Sequence, residues 1–343
     1  MSTPRFQNFS DIVSEVLVHQ NDDPLLNILV LTYEFDDAQL LNLTCRRELD
    51  EQFEPRQSHL KLLSDIRPLV IFDARKTKQF SGIPQFLELH PYKTKSFACH
   101  HSKAYLIITR KKIRLALGSF NLTHTGLFCN REVMQSFCWS ADEHERDAGQ
   151  ILSEWTVFLR DHYLPMVANS SKSALTSIID ILSDRVKVLD LVMATSNHIL
   201  HSGYDSNSGL DSLRSSWQKW FPDIQPDSLF VISPFFDETP QNGSVADRFS
   251  DYFPSLSGMS LVTDQKLLPF LSKAHFGTGN NIVKRSMHVI PTGISTDESS
   301  RIEKRAGISV KDRVIIRKLH AKLLLLRTGD KAIAYIGSVL TPV

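Results

Sequence analysis

The chain has only four cysteines, Cys45, Cys99, Cys129 and Cys138, and no two of them form a C-x-x-C pair. That argues against a disulfide framework and implies a reducing, cytoplasmic setting. Cys99-His100-His101 is a short run of metal-type ligands, but no second closely spaced pair accompanies it, so zinc is not expected. No apolar run reaches the ~18 residues of a membrane span, and no charged segment followed by an apolar one opens the chain. Stable membrane insertion is therefore not expected. An excess of one charge sign is also missing. Lys and Arg number 39 against 38 Asp and Glu, which rules out the global basic field of a nucleic-acid coat protein. Basic character is local instead, at Arg110-Lys111-Lys112 and from Lys304 to Lys322. The run Phe276 to Asn281 (FGTGNN) lacks the full G-x-G-x-x-G pattern and follows no clear strand, so it reads as a loop and not as a nucleotide cradle.

What is present is a repetition. His101-Ser102-Lys103 is followed by Gly118-Ser119, and His320-Ala321-Lys322 is followed by Gly337-Ser338. In both copies fifteen positions separate the lysine from the glycine. Each H-x-K word leads an apolar strand-like stretch, Ala104 to Ile108 and Leu323 to Leu326. A polar tip and a second apolar stretch follow, Ile113 to Leu117 and Ala332 to Ile336. One H-x-K among thirteen histidines would be noise. Two at matched spacing imply one site assembled from two copies of a unit.

The wider chain repeats as well. Asn27 to Asp36 (NILVLTYEFD) matches Ser228 to Asp237 (SLFVISPFFD), both buried-strand runs ending in aromatics and an Asp. A second short strand follows in each half, Pro68 to Asp73 and Ser260 to Asp264. At 343 residues with 42% hydrophobic content, the chain is long enough for two cored lobes. Between the halves, Ile151, Trp155, Phe158 and Leu159 share a helical face that ends before Pro165. Leu175, Ile178, Ile179, Leu182 and Val186 form a second amphipathic helix. Asn169 to Ser173 reads as a turn, Val186 to Leu200 as a possible strand, and Ser208 to Asp211 as a capping box opening a helix through Leu213, Trp217 and Trp220. His198 and His201 read as structural. His100 and His124 have no counterpart in the second half and are set aside.

The H-x-K word, Gly118-Ser119-Phe120-Asn121, and Gly126-Leu127 to Asn130-Arg131-Glu132 resemble the phospholipase D superfamily, whose pattern is H-x-K, G-S-x-N and N-x-E in two copies per site. That resemblance implies an α/β fold of two similar lobes, each a mixed sheet flanked by helices and related by a pseudo-twofold axis. The expected boundaries are 1–165 for the first lobe, 166–222 for a helical connecting region and 223–343 for the second lobe. The superfamily's commonest form carries an Asp five positions after the lysine, where this chain has Ile108 and Arg327. Its absence resembles the tyrosyl-DNA phosphodiesterase branch. The second copy departs further: Gly337-Ser338-Val339-Leu340 puts a leucine where Asn is expected. The sequence reaches Val343 before an N-x-E, so the second lobe is expected to be short, whether degenerate, truncated or completed by another chain.

Residues i and i+2 of a strand share a face, so His101 and Lys103 project together, as do His320 and Lys322. The resemblance assigns His101 as nucleophile, giving a phosphohistidine, and His320 as general acid and base. Lys103 and Lys322 would hold the non-bridging oxygens, and Asn121, Ser119 and Ser338 would donate hydrogen bonds to the same phosphate. Glu132 would fix a histidine tautomer, with His101 as recipient. No metal or other cofactor is implied. The expected reaction is metal-independent phosphodiester hydrolysis, with nucleic acid as substrate and partner. Phospholipid is the alternative substrate, and a catalytically degenerate phosphate- or nucleic-acid-binding module is the alternative class. A homodimer pairing two first halves is a further option.

Overall fold

The computed structural model describes residues 12–13, 15–16, 22–36, 39–40, 57–76, 87–93, 100–130, 132–140, 148–187, 209–233, 245–264, 284–290 and 321–336. The chain divides into two compact units. One holds Met1–Leu117, Asn121–Leu127 and Met134–Ile199; the other holds Gly118–Phe120, Phe128–Val133 and Leu200–Val343.

The first sheet has six strands: β1 (Leu25–Thr32), β2 (Leu69–Asp73), β3 (Glu88–Tyr92), β4 (Ala104–Thr109), β5 (Lys112–Gly118) and β6 (Met134–Ser140). Their spatial order is β3-β2-β1-β4-β5-β6. β1, β2 and β3 are parallel, with Leu29 opposite Leu69 and Val70 opposite Leu89, while β4 runs antiparallel to both β1 and β5. Every residue of β2 and β4 is buried. This is why both read as unbroken apolar runs and not as alternating ones. β3 lies at the end of this order and carries Pro91 opposite Phe72. A proline, with no N–H to give a ladder, is tolerated at such an edge.

Helices α1 (Gln57–Ile66), α2 (Ala148–Phe158) and α3 (Asn169–Lys187) belong to this unit. Leu175, Ile178, Ile179 and Leu182 of α3 pack with Ile151, Leu152 and Trp155 of α2 and with Leu31, Ile71, Leu106 and Leu115 of the sheet. Burying each such side chain contributes roughly 1.5–3 kcal/mol. Asn169 to Ser173, expected as a turn, is instead the first turn of α3, and Ser171 is buried with its hydroxyl donating to Glu88 at 3.0 Å. A polar start to a helix is a capping preference as much as a loop signal. Val186 and Lys187, expected to open a strand, are instead the last residues of α3; the rest of that expected strand, to Leu200, lies outside the described residues.

The second sheet comprises β7 (Ser228–Ile232), β8 (Gly258–Asp264), β9 (Lys284–Ile290), β10 (Leu323–Thr328) and β11 (Lys331–Ile336), in the order β11-β10-β7-β8-β9. Placed against the first sheet, β7, β8, β9, β10 and β11 occupy the places of β1 to β5. Parallel pairs join β7 to β8 and β8 to β9, and β10 is antiparallel to β7 and β11. The repeat seen in the sequence is therefore a repeat of topology. Helices α4 (Gly209–Trp220) and α5 (Val245–Tyr252) supply Leu213, Trp217 and Phe249 to a core with Leu229, Val231, Leu261, Leu324 and Leu326. No described helix is long and apolar enough to cross a membrane.

Candidate functional site

The first H-x-K word sits immediately before β4, beside the carboxyl end of the parallel strand β1. Carboxyl ends of parallel strands are where α/β proteins place their sites. Lys103 is 4% exposed. Its Nζ lies 3.1 Å from Nδ1 and 3.3 Å from Nε2 of His101, and donates to the His101 carbonyl at 3.1 Å. His101 and Lys103 thus share one face, as strand alternation requires. Tyr33, just past β1, packs its ring 4.8 Å from the His101 ring, with Lys103 Nζ 5.7 Å and Lys76 Nζ 4.8 Å from its centroid. An aromatic face between two cations is a favourable electrostatic arrangement.

The Gly-Ser-x-Asn segment follows β5. A Cβ on Gly118 would stand 2.7 Å from the Val133 carbonyl, and one on Gly126 would stand 2.4 Å from the Asn121 carbonyl. Both positions therefore need glycine for close backbone approach. The Ser119 hydroxyl is fully buried, donates to Glu132 at 2.5 Å and accepts from the Val133 N–H at 3.1 Å. Glu132 also accepts from Asn130 at 3.1 Å. With its one proton directed at Glu132, Ser119 orients that carboxylate. Leu122 ties this segment back to β1, donating from its N–H to the Thr32 hydroxyl at 3.2 Å, while the Asp36 N–H donates to the Leu122 carbonyl at 2.9 Å. Between these anchors, Oδ1 of Asn121 is buried with no hydrogen-bond partner among the described residues. An unsatisfied buried polar atom costs about 1–3 kcal/mol. Rotating the amide exchanges oxygen for NH2, so the same position can present a donor to an anion.

In the second unit, Lys322 is 3% exposed and precedes β10 as Lys103 precedes β4. Burial pushes its ammonium down to about 8, while the Glu132 charge pulls the other way. Glu132 therefore acts electrically on Lys322 as well as accepting from Ser119 and Asn130. His320, Ser338 and Leu340 lie outside the described residues, as do the 276–281 loop, His198, His201, Ser208 and most of the basic stretch before Lys322. At the other basic tip, the Lys111 N–H and the Thr109 hydroxyl both donate to Asp23 at 2.7 Å. Among the described residues no group of three or more His, Cys, Asp and Glu side chains could hold a metal ion.

Three residues in or beside the site escaped sequence reasoning: Tyr33, Lys76 and His100. The only available signal for Tyr33 was its place in the matched strand run. Lys76 carries none. His100 was set aside for want of a counterpart, yet it is 4% exposed and its N–H donates to the buried Asp73 carboxylate at 2.7 Å. Arg75 grips the same carboxylate through Nε and an Nη at 2.9 Å each. These hydrogen bonds hold the Asp73 carboxyl below its usual range although burial works against them.

Sheets, helices and site residues together define a two-lobed α/β protein, with a buried lysine of a repeated H-x-K word leading the same strand of each sheet. No protein-family model matches the sequence, and no curated protein does. Among solved structures the chain is similar to yeast tyrosyl-DNA phosphodiesterase, at 10% identity and a TM-score of 0.42 over 91% of this chain and 74% of that one. A mutant of the yeast enzyme gives 8% identity and a TM-score of 0.45 over 91% and 72%. Polyphosphate kinase from Porphyromonas gingivalis gives 10% and 0.47 over 98% of this chain and 41% of that one.

Proposed function

We propose that this chain is a phosphodiesterase of the phospholipase D type that works through a phosphohistidine, with nucleic acid as its substrate. The observation that carries the reading is the buried Lys103 ammonium held against both nitrogens of the His101 ring, at the end of a strand whose counterpart carries a second buried lysine. A phosphodiester repels nucleophiles through its own negative charge, and fixed cations in a water-poor site offset that charge. Lys103 and Lys322 serve this purpose, and Asn121 adds a donor once its amide is turned. Ser119 contributes by holding Glu132, which keeps Lys322 charged; Ser338 is its counterpart in the other copy.

A nitrogen of His101 attacks phosphorus, the bond from phosphorus to the leaving oxygen breaks, and His320 gives that oxygen a proton. His320 then takes a proton from water, the hydroxide attacks phosphorus, and the P–N bond to His101 breaks. Nucleic acid is favoured by the absence of Asp at positions 108 and 327 and by the Arg110-Lys111-Lys112 tip.

The test is turnover of an aryl phosphodiester in the presence of chelator. We expect His101→Ala and His320→Ala each to lower the rate by ~10²–10⁴, with the double variant little worse. Turnover that survives both substitutions sinks the reading. So does an inactive unmutated chain, and tight binding of single-stranded DNA in that case marks a binding module. Headgroup release from phosphatidylcholine vesicles without cleavage of DNA esters replaces the substrate.

A further inference from the structure

Residues 100 to 103 present two faces. His101 and Lys103 contact one another and Tyr33, while His100 and Ser102 turn the other way. On that buried face Nδ1 of His100 lies 3.1 Å from the Thr32 carbonyl, and Nε2 lies 2.9 Å from the Tyr163 hydroxyl. The Tyr163 hydroxyl is in turn 2.9 Å from Oγ of Ser102, the middle residue of the H-x-K word. Tyr92 closes the cluster with its ring 5.0 Å from His100 and 5.5 Å from Tyr163.

Proton accounting fixes the His100 end of this chain. A carbonyl only accepts, so Nδ1 of His100 carries the hydrogen bonded to Thr32. Burial, the largest influence, lowers His100 to about 4; Asp73 and the Thr32 carbonyl oppose it, and Lys103 and His90 reinforce it. The ring is therefore neutral near pH 7 and Nε2 is an acceptor. The Tyr163 hydroxyl, with its single proton, lies 2.9 Å from that Nε2 and is placed to donate to Oγ of Ser102 at 2.9 Å, so one hydroxyl joins the H-x-K word to the His100 ring. The chain links Ser102, Tyr163, His100 and Thr32. Tyr163 comes into reach through a wide turn after α2, Leu159–Tyr163, closed by the Leu164 N–H donating to the Leu159 carbonyl at 2.9 Å. Such turns recur at functional sites.

We propose that His100, Tyr163 and Ser102 are positioning residues, a hydrogen-bond chain that fixes residues 100–103 from the buried face and so sets the aim of His101 and Lys103. The proposal rests on the reading of His101 as nucleophile, but one arm of its test does not. In that arm the imidazole nitrogens of ¹⁵N-labelled full-length protein are followed by NMR from pH 5 to 9. His100 is expected to stay a neutral Nδ1–H tautomer throughout. Tyr163→Phe, which keeps the ring and removes both hydrogen bonds, is expected to shift or broaden the His101 resonances. A His100 that titrates near pH 6.5, holds its proton on Nε2, or leaves His101 undisturbed in Tyr163→Phe overturns the proposal even if no turnover exists.

The second arm is kinetic. Tyr163→Phe and Ser102→Ala are each expected to lower kcat about tenfold to a hundredfold with KM changed less than threefold. The double variant should be no worse than Tyr163→Phe, because both break one chain. Ser102→Thr, which keeps the hydroxyl, should restore most of the rate lost in Ser102→Ala. An unchanged kcat in both single variants, or equal losses in Ser102→Ala and Ser102→Thr, overturns the proposal while leaving the phosphodiesterase reading intact. Ser102→Ala removes only the last link, so a folding failure of Tyr163→Phe does not end the test.

Discussion

The two H-x-K hairpins share an order of strands but not a setting. β4 is buried at every residue, whereas β10 buries only Leu324 and Leu326 and exposes Arg327. β5 likewise buries four of its seven residues, while β11 buries none. Yet the lysine leading each hairpin is almost wholly covered in both. Hydrophobic context has drifted between the copies while the buried cation has stayed, even though burying an ammonium is costly in itself. The feature held in common is the one without a packing rationale, and it is the feature the proposed phosphate site requires.

The sharpest way to test that comparison is to exchange the copies' differences. Asn121→Leu gives the first copy the residue that the second has at Leu340. It should cost about 10²–10³ in kcat on an aryl phosphodiester, the loss typical of a transition-state donor. Leu340→Asn should cost nothing in rate. Equal losses would mean the copies contribute alike. Gly126→Ala attacks the same residue through its backbone, and should lower the rate at least tenfold by moving the Asn121 carbonyl away from the added methyl.

Acid should expose the first copy selectively. The folded value for His100, about 4, lies below its ordinary 6.5. Between those two pH values the unfolded chain therefore binds more protons, and stability falls as pH falls through the window. At 1.36 kcal/mol per pH unit the loss approaches about 3 kcal/mol. Urea unfolding at pH 7 and pH 4 should show this excess in the unmutated chain relative to His100→Gln.

Alkali should expose the second copy. Lys322 titrates near 8, below its ordinary 10.5, so it is charged below pH 8 and loses its charge above. Between 8 and 10.5 the unfolded chain binds more protons, so fold stability rises with pH there, by an amount comparable to the His100 effect. Phosphate binding moves the opposite way: KM should climb up to tenfold per pH unit above 8. The climb should vanish in Lys322→Arg. A KM flat to pH 10 in the unmutated chain would show that Lys322 does not hold the substrate.

Much of this architecture was legible from the residues. Leu25 to Thr32, Leu69 to Asp73 and both hairpins announce themselves as apolar runs, and the stripe through Leu175, Ile178 and Leu182 does so because its burial repeats at the helical period. β3, β6 and β9 did not. β3 is five residues containing Glu88, His90 and Pro91, and its strand character comes only from pairing with β2. β9 opens on Lys284 and Arg285, which read as surface. At the site, His101 and Lys103 were legible through repetition. His100 was not, because its partners Thr32 and Tyr163 lie more than sixty positions away and no local pattern encodes them.

Pro91 has a consequence beyond the strand that contains it. A sheet rim normally offers a row of unpaired amides on which another copy can add a strand, the first step toward aggregates and fibrils. At the outer strand of the first sheet that row is interrupted by a residue with no amide hydrogen. The residue that hid this strand from sequence reading is thus also one that weakens the rim as a template for strand addition.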